Sequence, residues 1–173
     1  MIREPIGTKG TVVVVLKNEK TGKVQTFKAK NIVTNDGDLH YAERGAAETP
    51  TEFTAAAMEY GTAGDAPAKT SDRSNLTTKT SGSLKAIDGT YPMTDDSDGD
   101  NTGSGTDIVS WRVSYGTSEG NDTAIDRVII TNYVGGTPAA DENCLMYATF
   151  AASFNKTSSD TLKVFINHEF TGS

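Results

Sequence analysis

The sequence predicts a mainly β protein: a two-sheet β-sandwich, jelly-roll-like, with an N-terminal β-hairpin and one short helix. Three observations carry this expectation. In TDIVSWRVSY, Val109, Trp111, Val113 and Tyr115 alternate with Ser110, Arg112 and Ser114, the period-two pattern of a half-buried strand, with Ile108 breaking the rule at its start. TLKVFINHEF repeats the pattern, with Leu162, Val164, Ile166 and Phe170 on one face and Lys163, Asn167 and Glu169 on the other; Phe165 is its exception, an aromatic on the polar side. The third is composition: only 35% of residues are apolar and 23% charged, and the Thr, Ser, Gly, Asn and Asp that fill the difference suit short strands joined by polar turns.

The elements follow in order. Thr11 to Lys17 is a nearly unbroken apolar run of high β propensity and reads as a strand buried on both faces. KNEKTGK turns the chain, with Gly22 free to take a positive φ, and Val24 to Thr34 returns as the second strand of a hairpin. Asn35 or Asp36 is placed to cap a helix from about Asp38 to Ala47, with Leu39, Tyr41, Ala42 and Ala46 as its inward stripe. Glu52 to Met58 contains good helix formers, but AAAMEYGTAG reads better as a strand at Met58 to Gly61 running into a glycine turn. A polar loop around Pro67 leads to a Thr-rich strand region in which Gly82 marks a bend. After the acidic stretch MTDDSDGDNTGSG come four strands ending in AIDRVIITNY, CLMYATFAASF and TLKVFINHEF, at the rhythm of a sandwich. A single domain over residues 1–173 is expected, with residues 1–34 forming a hairpin or an arm that packs on a neighbouring subunit.

Charge and motif spacing remove several functions. A net charge of −7 and a basic window interrupted by Glu19 argue against a nucleic-acid partner, which needs a clustered basic face. Val12 to Leu16, the strongest apolar run, is too short to cross a membrane, and MIREPIGTKG offers no apolar signal region. Synthesis in a cytoplasm is therefore expected, and the three Asn-X-Thr matches at Asn75, Asn121 and Asn155 are discounted. Cys144 is the only cysteine, so no internal disulfide forms, and its place at the start of an apolar strand makes it a small buried hydrophobe. His40 reads as a surface or inter-subunit residue and His168 as a strand-end residue with one edge at solvent; no spacing joins them into a metal site. No G-x-S-x-G or other nucleophile motif occurs, so no catalytic residue and no cofactor are assigned and an enzyme is not expected.

The acidic stretch is the sharpest candidate site. Asp96, Asp98 and Asp100 alternate as calcium ligands would, yet the twelve-residue loop template fails. With Gly99 at its sixth position the last ligand becomes Gly105, and with Gly103 there it becomes Val109. The stretch is read as a solvated acidic connection, not a metal site.

Three segments carry a resemblance: KNIVTNDGDLHYAERGA, AMEYGTAGDAPAKTSDRSNL and FNKTSSDTLKVFINHEFTG, together about a third of the chain. They are similar to segments of accessory structural proteins of tailed-bacteriophage virions, the decoration and fibre proteins. The resemblance implies a β-sandwich that decorates and cements the capsid as a homodimer or homotrimer bound across major capsid protein subunits, located on the virion after synthesis in the host cytoplasm. It implies as the alternative a tail or fibre component, or a receptor- or glycan-binding module. The family carries no shared active-site residues, and the chain lacks the repetitive shaft of some fibres, which favours a compact decoration protein.

Overall fold

The hairpin at the N-terminus is the centre of the sheet. In the computed structural model, which describes residues 7–95, 107–134, 137–138 and 143–171, β1 (Gly7–Asn18) pairs along its length with β2 (Val24–Val33) on one edge and with β11 (Asp160–Thr171) on the other. Both edges of β1 are thus occupied within the chain, and Val12, Val14 and Leu16 enter its own core. The run is not buried on both faces: Val13 and Val15 point the other way and stay half-buried. Asn18 organises the turn, its Oδ1 accepting from the N–H groups of Lys20 and Thr21, while Gly22 adopts φ 71°.

Helix α1 (Asn35–Gly45) starts one residue earlier than the acidic side chains suggest. Its cap is Thr34, whose Oγ1 accepts from the Gly37 N–H at 3.2 Å and whose hydroxyl donates to the Cys144 carbonyl. The buried face is also rotated from the predicted stripe: Gly37 and His40 face inward with Tyr41 half-buried, whereas Leu39, Ala42 and Ala46 are exposed. Gly37 explains the rotation. A Cβ there would lie 2.2 Å from the Leu145 carbonyl oxygen, so the helix docks on β10 (Cys144–Lys156) through its glycine.

The remaining strands are β3 (Ala56–Ala63), β4 (Thr78–Lys79), β5 (Lys85–Ala86), β6 (Met93–Asp95), β7 (Ile108–Tyr115), β8 (Asp122–Val134) and β9 (Thr137–Pro138). The expected strand at Met58 to Gly61 is β3, and the Thr-rich region is two short strands around Gly82, which takes φ 74°. The protein is mainly β, and all the pairings are antiparallel. One hydrogen-bonded path runs β4-β3-β8-β10-β2-β1-β11-β7-β6, with β5 added to β3 and β9 to β8.

This path rolls up. Residues at its two ends meet: the Tyr115 hydroxyl on β7 donates to the Ser83 carbonyl at 2.8 Å, and its ring packs edge-on against Tyr60 of β3. The closing segment is the chain from β5 to β6. Ile87 N–H bonds Ala56 on one end and Asp88 N–H bonds Arg112 on the other, and the Asp88 carboxylate takes Nε of Arg112 and the hydroxyl of Ser114. Enclosed is a single large core in which Trp111, Tyr60, Met58, Ile125, Ile130 and Met146 are essentially inaccessible. At one end α1 covers the opening. The loop after β3 is fixed outside by Arg73, whose guanidinium forks onto the buried Glu59 carboxylate at 2.8 and 3.1 Å.

Candidate functional site

The face of β2, β1, β11 and β7 that points away from the core has an ordered composition. Cross-strand register sets Lys28, Val13, Phe165 and Arg112 side by side; the next row is Thr26, Val15, Lys163 and Ser114, and the row on the other side is Lys30, Thr11, Asn167 and Ser110. Val13, Val15 and Phe165 are therefore neighbours, half-buried, in a patch rimmed by the exposed Lys28, Lys30 and Lys163. A shallow depression of about 640 Å³ runs along it, lined in part by Thr11, Val13, Lys28, Lys30 and Asn167. Among the described residues Lys28, Lys30 and Lys163 make no ion pair, whereas Arg112 is committed to Asp88 and lies 4.4 Å over the Tyr91 ring.

The charge is segregated. From Gly7 to Val33 six lysines face one glutamate, in a chain of net charge −7, so the rest of the molecule is more acidic than the total suggests. Such a face attracts an acidic surface and offers an apolar centre that a partner can dry, the arrangement of an interface with a charged rim. The edge of this sheet is less suited to a partner than its face. β2 pairs with β10 only at Asn31 to Val33, and the lysines along its free stretch oppose strand addition. The sequence signal for this site was Phe165, the one break in an otherwise regular alternation; what it lacked was the register that puts Val13 beside it.

The two histidines are corrected outright. His168 is fully buried, because α1 lies over that end of β11 and Gly10, opposite it on β1, leaves room for the Asn31 side chain to reach the ring. Trp111 Nε1 donates to the Tyr41 hydroxyl at 2.9 Å, and that hydroxyl is hydrogen-bonded to Nδ1 of His168 at 2.5 Å. On the other side of the ring Nε2 of His168 lies 2.8 Å from the side-chain amide nitrogen of Asn31. Burial lowers the imidazole pKa to about 3, with the neighbouring His40 adding to the shift, and the same burial pushes the Tyr41 phenol up. His40 is not at the surface either: it is buried on the inner side of α1, its Nδ1 3.0 Å from the Glu52 carbonyl.

Cys144 is fully buried and burial holds its thiol well above the usual range, which removes it as a nucleophile. Asp96, Asp98 and Asp100 lie outside the described residues. Among the described residues no three histidine, cysteine, aspartate or glutamate side chains converge as metal ligands would, and no helix is long and apolar enough to cross a membrane. Comparison of the chain with protein-family models, curated proteins and solved structures finds no match to any of them.

Proposed function

We propose that the protein decorates and cements a tailed-bacteriophage capsid, acting as a homo-oligomer that binds across major capsid protein subunits through the outer face of β2, β1 and β11. The observation that carries this reading is the apolar patch of Val13, Val15 and Phe165 inside a rim of lysines that make no ion pair among the described residues, on a chain that is otherwise acidic. The rolled sheet is read as a two-layer sandwich of jelly-roll kind. β4, β3, β8 and β10 form one layer, β2, β1, β11, β7 and β6 the other, and the three residue pairs between β10 and β2 form the corner. A rigid sandwich suits a cement protein because it presents a preformed surface and loses little entropy on binding.

Purified protein should co-sediment with capsids built from the major capsid protein, and particles carrying it should survive heating and low salt better than bare ones. The double variant Lys28→Glu with Lys163→Glu keeps the fold and loses the co-sedimentation. Equal resistance of bare and decorated particles would sink the cement role, and undiminished binding by the double variant would remove the face from it.

A further inference from the structure

A second site lies at the covered end of the roll. Between α1 and β7 is an open cleft of about 470 Å³, lined by His40, Tyr41 and Arg44 of the helix and by Pro92, Met93 and Val109 among the residues opposite. That volume is in the range of small-molecule sites, and the walls are mostly apolar.

The polar groups in it are unusual in being unspent. His40 is 3% exposed, and its Nδ1 faces a backbone carbonyl, which only accepts; the tautomer is therefore Nδ1–H, with a lone pair on Nε2. Among the described residues Nε2 has no hydrogen-bond partner, it is not one of the enclosed orphan atoms, and His40 lines the cleft. The desolvation that lowers the His40 pKa keeps the ring neutral and the lone pair available near neutral pH. One helical turn on, Arg44 is exposed and makes no ion pair among the described residues, while Glu43 beside it is occupied by the Thr51 N–H and hydroxyl. Residues at this spacing hold their side-chain bases about 5–6 Å apart.

We infer that this cleft binds a small carboxylate bearing a hydroxyl several ångströms from its charge, a sugar acid: the carboxylate pairs with Arg44, the hydroxyl donates to Nε2 of His40, and the carbon skeleton rests on Tyr41, Pro92, Met93 and Val109. Acetate supplies only the charge and glucose only the hydroxyls. The site is separate from the outer face of β1 and β11, so its failure leaves the capsid-binding reading untouched, and the reverse also holds.

The chain's only tryptophan, Trp111, lines the cleft and reports on it. Titration of the whole protein with D-glucuronate should change its fluorescence saturably, with acetate and glucose each at least tenfold weaker. Arg44→Gln, a surface change that leaves the fold intact, should weaken glucuronate at least tenfold. Nitrogen-15 shifts of the wild-type imidazoles should show a lone pair on Nε2 of His40 that becomes hydrogen-bonded on saturation. No saturable response, equal binding by acetate or glucose, an Arg44→Gln titration like wild type, or an unmoved Nε2 resonance would each overturn the assignment.

Discussion

Acid should unfold this protein through His168 before its carboxylates are protonated. The ring is neutral in the native state, where burial holds its pKa at about 3, but in the unfolded chain it titrates near its ordinary value of about 6.5. Between those values the unfolded state binds a proton that the folded state refuses, so stability falls as pH falls. The loss from this one group is about 2 kcal/mol between pH 7 and pH 5, growing to about 4–5 kcal/mol near pH 3. The carboxylates with lowered pKa, Asp160, Glu19 and Glu119, lose their contribution as pH falls through the ordinary carboxylate range and below it, which leaves the window from pH 7 to 5 to the histidines. His40, also lowered by desolvation, acts in the same direction and the same window. The assay is urea unfolding at pH 7 and pH 5 for the wild type and for His168→Gln. The variant loses stability at both pH values with the Tyr41 and Asn31 contacts, but its decrease from pH 7 to 5 should be smaller by about 2 kcal/mol. An unchanged decrease, or an imidazole signal from His168 titrating near 6.5 in the folded protein, would refute the buried neutral ring.

Two further changes test the packing. Arg73→Met should cost about 3 kcal/mol in urea unfolding, because it strands the Glu59 carboxylate, 5% exposed, without its fork of hydrogen bonds; the companion Arg73→Met with Glu59→Leu should recover much of that loss. Gly37→Ala should destabilise by about 1–3 kcal/mol despite the better helix propensity of alanine, since the new methyl meets the Leu145 carbonyl; a rise in Tm would show that α1 is not seated on β10 as described.

Local chemistry made much of the architecture legible. Alternation in Val109 to Tyr115 and, with Phe165 as its exception, in Leu162 to Ile166 marked strands whose inward residues pack in the core, and Trp111 and Tyr115 are buried as that pattern requires. The hairpin turn, the strand at Met58 to Gly61 and the burial of Cys144 were readable for the same reason: each depends on residues adjacent in sequence. What alternation cannot tell is which strand lies beside which. The placement of β1 between β2 and β11, the patch that unites Val13 with Phe165, and the meeting of Tyr60 with Tyr115 all rest on pairings between distant segments. Both histidines are buried against the sequence expectation for the same reason. A polar ring on a short helix or at a strand end looks solvent-facing until another element covers it, and here the covering decision is made by Gly37, whose missing side chain lets α1 settle over that end of the roll. The sequence by itself determined a β-rich chain with a basic hairpin in an acidic whole. Only the tertiary structure decided that His168 is sealed in with Tyr41 and Trp111, and that among the described residues Nε2 of His40 has no partner, because burial and hydrogen-bond partnership are properties of the assembled surfaces and not of any one strand.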